Sequence, residues 1–233
     1  MMQARPQHAG AVPSLLPCVR LEDIVIQATL LADAAAVVLL EPLADPPCGG
    51  LRRFAIEAVA CRGHTVCDAT RRVIAAHRAT LTSVDVDVGF PVLRSEAAVQ
   101  SLLALLRTIG GTAGLQTLTL QLRSTDSGYP QLGEAHALGS VLATFAAVPH
   151  LRLDVKRLPL TDGALAAVVA AMAERVRNGR WTMLTVDAGQ VRGAQTLGDL
   201  RFLLSAPRCR VSFLPSCHAL PEVEALAALS DFF

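Results

Sequence analysis

The sequence predicts an α/β fold: a curved solenoid of about seven strand–helix units, with a parallel sheet on the concave face and helices on the convex face. Three observations predict it. A spacing of apolar residues at positions 1, 4 and 6 recurs seven times along the 233-residue chain. Each recurrence is a short alternating run, the signal of a strand with one buried face, and is followed by a segment of helical periodicity. The step is nearly constant: position 4 falls at residues 24, 54, 84, 118, 151, 184 and 211, in steps of 30, 30, 34, 33, 33 and 27.

The units follow one another without interruption. The first match is Leu21, Ile24 and Ile26; the Thr29–Leu40 segment after it is helical by position, with a diffuse pattern. Leu51, Phe54 and Ile56 form the second match, and Asp68 to Ala79 supplies its helix, with Val73 and Ile74 facing inward. Leu81, Val84 and Val86 lead into a helix over Ser95 to Ile109. Its Val99, Leu102, Leu103 and Leu106 share one face, Ser95 suits the N-cap, and Gly110 and Gly111 end it. Leu115, Leu118 and Leu120 precede the most insertion-like loop, Thr125 to Gly133, and a helix over Leu132 to Ala147. Val148, Leu151 and Leu153 precede the clearest helix, Asp162 to Arg177, with Asp162 as its cap and Asn178-Gly179 as its stop. Trp181, Leu184 and Val186 precede Ala194 to Ser205, which Pro207 follows. The weakest match is Arg208, Val211 and Phe213; Pro221 to Phe233 then reads as a capping helix.

Strands joined through helices are parallel, with right-handed crossovers. Helices are ~10 Å wide and neighbouring strands lie ~4.8 Å apart, so a one-sided stack must curve with the sheet inside. A doubly wound domain would instead cover both sheet faces and show near-continuous apolar strands. The alternation in Ser83–Val88 and Thr117–Leu122 favours one open face. The expected organisation is an N-terminal extension over 1–20, a solenoid over 21–215 and a terminal cap over 216–233.

The spacing L-x-x-L-x-L followed by a helix, at about 30 residues per turn, resembles the leucine-rich repeat, in its ribonuclease-inhibitor-like class. The closest local match runs from Leu151 and Leu153 through Leu158, Leu160, Asp162, Gly163, Ala164 and Leu165. The likeness covers about residues 20–215, and one repeat is near consensus. The family places Asn or Cys three residues after the third apolar position. Here Gly89, Arg123, Lys156 and Gly189 stand there, so the loops must satisfy their backbone groups by other means.

Composition narrows the function classes. Apolar residues make up 52% and charged residues 18%, which excludes disorder as the general state. A net charge of +1 gives no bulk field for nucleic acid or an anionic membrane. The mean hydropathy is +0.43, yet the longest apolar run, Thr29 to Leu40, contains Asp33 and is too short to span a bilayer. Lys156 is the sole lysine, and the abundance of Arg is read as coding bias rather than as a binding signature. Six cysteines without a signal-like start are expected to be reduced and structural. The expected location is cytoplasmic. A mitochondrial presequence is the alternative, raised by two Arg and no acid in the first twenty residues and opposed by three prolines.

No phosphate-loop, dinucleotide, nucleophile-elbow or zincin motif is present in the sequence. Cys61, His64 and Cys67 offer three soft ligands, but no second pair completes a zinc site, so the two thiols read as apolar fillers and no metal or other cofactor is expected. Ser83, Asp85 and His150 share a sheet face but sit two strands apart, too far for a triad. No enzymatic activity is expected.

The open sheet face is the expected binding surface. Alternation places Asp85, Asp87, Thr119, Gln121, His150, Arg152, Asp154, Thr185, Asp187 and Arg210 on it. A parallel sheet is usually covered on both faces, so one left open calls for an occupant. The expectation is a non-catalytic protein–protein interaction module, an adaptor or a subunit of a larger assembly, with Phe232 and Phe233 as an end contact. By analogy with leucine-rich-repeat proteins, regulation of a small GTPase is the alternative. A zinc-binding or enzymatic protein centred on Cys61, His64 and Cys67 ranks behind it.

Overall fold

The structure, a computed structural model, describes residues 22–27, 33–45, 50–58, 64–90, 96–124, 141–158, 160–216 and 218–230. Seven strands form one parallel sheet in chain order: β1 Asp23–Gln27, β2 Arg53–Ala58, β3 Ser83–Phe90, β4 Thr117–Ser124, β5 His150–Arg157, β6 Trp181–Asp187 and β7 Cys209–Leu214. Six α-helices are present among the described residues: α1 Asp33–Leu40, α2 His64–His77, α3 Glu96–Gly110, α4 Asp162–Arg177, α5 Ala194–Ser205 and α6 Pro221–Ser230. Short 3-10 turns cover Glu41–Ala44, Thr144–Ala147 and Ala188–Gln190. Each strand pairs with its sequence neighbour, as the repeat spacing predicts.

One face of the sheet is buried and the other is open. Phe54, Val84, Val86, Leu118, Leu120, Leu151 and Leu184 are essentially inaccessible, whereas Asp23, Arg53, Thr117 and Arg152, between or beside them on their strands, are exposed. The apolar side chains meet a single helix layer. α1 packs on α2, α2 on α3, α4 on α5 and α5 on α6. Val73 and Ile74 of α2 and Val99, Leu102, Leu103 and Leu106 of α3 face this core as predicted, and Leu105 joins them.

Several boundaries differ from expectation. α2 begins at His64 rather than at residue 68, so His64 and Cys67 belong to the helix and not to a loop before it. Cys67 is buried in the core with Val66 and Ala69. The helix over Asp162–Arg177 has the predicted span, but Thr161 is its cap: its side chain accepts a hydrogen bond from the Ala164 N–H at 3.2 Å. Asp162 stands in the first turn, where the helix dipole favours a carboxylate. Gly179, two residues past the helix, takes φ +74°, a left-handed conformation suited to glycine. Of the segment expected over 132–147, residues 141–143 are helical and lead into the Thr144–Ala147 turn; residues 132–140 lie outside the described residues.

The largest correction concerns register. Leu184 pairs with Leu153 and Val211 pairs with Leu184. The inward row that holds Leu118 and Leu151 therefore continues through Thr182 and Cys209, two residues before the positions predicted from spacing. A slip of two leaves every side chain on its predicted face. The cause is chemical: Thr182 is fully buried at a site where the pattern calls for an aliphatic residue.

Two polar side chains secure the helix layer. His77 is buried, and its Nε2 donates to the Leu43 carbonyl at 2.8 Å, tying α2 to the Glu41–Ala44 turn. Arg175 of α4 is 2% exposed. Its guanidinium donates to the Phe145 carbonyl and, at 2.8 Å, to the Val148 carbonyl, capping the turn that leads into β5. Burial, with a smaller contribution from Arg180, lowers its pKa to about 10, so it stays charged at neutral pH. Gly110 lies against Thr144 and Phe145, where a Cβ would collide with the threonine side chain.

Candidate interaction face

The register sets out the open face as rows. The first reads Asp23, Arg53, Ser83, Thr117, His150 and Trp181. The second reads Val25, Ala55, Asp85, Thr119, Arg152, Met183 and Arg210. The third reads Gln27, Glu57, Asp87, Gln121, Asp154, Thr185 and Ser212. All ten predicted face residues lie on these strands, nine of them within the rows. Asp187 lies one step further along β6, paired with Leu214. Ser83 and His150 are separated by Thr117 on β4, which keeps them apart as the strand count requires.

The rows divide by charge. On β1 to β3 the carboxylates of Asp23, Glu57, Asp85 and Asp87 outnumber the one cation, Arg53. Neutral Thr117, Thr119 and Gln121 occupy β4. On the β5 and β7 side stand the exposed cations Arg152 and Arg210, and His150 lies beside Trp181 with ring centroids 6.0 Å apart. A shallow cavity of about 320 Å³ lies on the acidic side, lined by Gln27, Arg53, Glu57, Asp85, Asp87 and Gln121 among others. Half-burial pushes the Asp85 carboxyl above the ordinary carboxylate range; Arg152 and Arg53 pull it down, and Glu57 adds to the rise.

Some predicted face residues serve the fold. Asp154 is buried and accepts from the Lys156 N–H, two residues on along β5, at 3.1 Å; it also pairs with the Lys156 ammonium at 3.0 Å. Asp187 accepts from the Gly189 N–H at 2.8 Å. Gln190 bridges to the loop after β5: its Nε2 donates to the Leu158 carbonyl at 3.1 Å, and its Oε1 accepts from the Leu160 N–H at 3.3 Å. The Asp187 and Gln190 contacts satisfy backbone groups of the loops that follow β5 and β6. Asp87 and Thr185 are also largely covered, whereas Thr119, Gln121, His150, Arg152 and Arg210 retain solvent access.

Trp181 was not among the predicted face residues, because the spacing assigned it to the first apolar position. Its parity with Met183 and Thr185 is the signal that places it on the open face. Phe232, Phe233 and Cys61 lie outside the described residues. Among the described residues, no group of three His, Cys, Asp or Glu side chains is placed to hold a metal ion. None of the described helices is long and apolar enough to cross a membrane. No family model matches the chain, and no curated protein matches it.

Proposed function

We propose that this chain is a non-catalytic protein-interaction module, a divergent leucine-rich-repeat-like solenoid whose sheet lines a concave face and receives a protein partner there. It serves as an adaptor or as a subunit of a larger assembly. The observation that carries this reading is the open face of an all-parallel sheet. Such sheets are normally covered on both sides, and the uncovered side here displays a charge gradient rather than a uniform solvated surface. Exposed His150, Arg152 and Arg210 and half-buried Asp85, Thr119 and Gln121 make the contact. Asp154 and Asp187 hold the rims of the face in shape.

The test is cross-linking of the tagged full-length chain in its native lysate, comparing wild type with Asp85→Arg and Arg152→Glu. Both positions retain solvent access, so thermal unfolding should be little changed. A stoichiometric partner, cross-linked across the sheet and depleted at least tenfold by either charge reversal, is the expected result. A partner retained by both variants, or a monomer with no partner, overturns the reading.

A further inference from the structure

The last strand–helix unit holds a second, chemically different cavity. A groove of about 940 Å³ lies where the start of β7 and the end of α5 meet α6. Trp181, Cys209, Leu226 and Leu229 line it, and Leu229 is an exposed leucine at 52% accessibility. Burial pushes the Cys209 thiol up to about 12, so it stays protonated and acts as part of an apolar wall. The charged groups lining the groove are Arg201 and Arg210, both exposed. Neither forms an ion pair with any described residue, and no described carboxylate lines the groove. Cavities of roughly 300–1,000 Å³ suit small molecules. An apolar body would cover the walls, and an anionic head would pair with two guanidinium groups that have no carboxylate partner among the described residues and whose planar fork matches a carboxylate.

We propose that this groove is a binding site for a long-chain carboxylate, its apolar chain lying along Trp181 and Leu226 and its head group held by Arg201 and Arg210. The site lies away from β1–β4, shares Arg210 with the contact surface proposed above, and does not rest on the interaction reading.

Trp181 is the sole tryptophan, so its fluorescence reports this groove without a label. Full-length protein is titrated with laurate, dodecanol and dodecyltrimethylammonium, each below its micelle concentration. Laurate should give a saturable emission shift, dodecanol should bind at least tenfold more weakly, and the cation should give no saturable change. Arg201→Gln with Arg210→Gln should lower laurate affinity at least tenfold, to the level of dodecanol, with the unfolding midpoint unchanged. Leu229→Asp should weaken laurate and dodecanol alike. Equal binding of all three probes, or laurate binding indifferent to the arginines, overturns the proposal. So does a full-length chain that fails to bind laurate while a chain ending at Ser230 binds it, since the groove would then be filled by residues 231–233.

Discussion

The first four strands and the last three solve the same packing problem with different residues. In β2 to β4 the inward positions are all aliphatic or aromatic: Phe54 and Ile56, Val84 and Val86, Leu118 and Leu120. In β6 and β7 the first inward position is Thr182 and then Cys209. Their outer faces differ in the opposite sense: acidic and short-chained on β3, with exposed Arg152 and Arg210 and the His150–Trp181 pair on β5 to β7. The buried row changes in both chemistry and size, from Leu118 and Leu151 to Thr182 and Cys209, while parity is kept. The outer row is under no packing demand from the helices, so its charges are free to differ from strand to strand.

The comparison can be broken hardest at its inward sites. Leu118→Ala, in the fully aliphatic half, should cost about 3 kcal/mol in denaturant-melt stability, the order expected for a large-to-small core change. Arg175→Met should cost about 2–4 kcal/mol in the same measurement, because the carbonyls of Phe145 and Val148 lose their donors inside the protein. A methionine of similar length that restored stability would show that the guanidinium is dispensable at the joint before β5. Thr182→Val is the sharpening experiment. The Thr182 hydroxyl is buried and finds no hydrogen-bond partner among the described residues, so the isosteric change should stabilise by about 1 kcal/mol. A loss instead would mean that the hydroxyl has a role in this row.

The smallest effect lies on the outer face. The Asp85 carboxyl sits above its ordinary value in the folded protein, so its charge opposes folding at neutral pH. Asp85→Asn should raise the melting temperature by about 1 °C at pH 7, a modest shift because the group is only half buried. The difference between variant and wild type should shrink as pH falls through the folded-state pKa, where Asp85 takes up its proton. Melting curves across that range test both the size and the sign.

How much of this was legible in the sequence depends on what each residue answers to. Strand count, parallel order and facing were readable because burial on one side imposes a period of two, and that period survives any even slip. The register of β6 against β5 was not, since Thr182 hides an inward position behind a polar residue while Leu184 and Val186 offer a false match; β7 then follows β6 as the spacing reads, Val211 beside Leu184. Arg175 left no trace at all. An arginine in an amphipathic helix reads as surface, and only the position of the Thr144–Ala147 turn reveals that two carbonyls await it. On the face, the residues were legible and their duties were not. Asp154 and Asp187 read as charged contacts, but backbone N–H groups two residues onward claim their oxygens.

The pairing of every strand with its chain neighbour has a kinetic consequence. Each addition to the sheet closes a connection of about one unit, and none requires distant parts of the chain to meet. The entropic cost of closure is therefore nearly the same at every step. Order can start wherever local packing is strongest and spread outward in both directions. Amide hydrogen exchange should then fall into a gradient: slowest in β3 to β5, where both neighbours are in place, and fastest in β1 and β7, each of which leans on one.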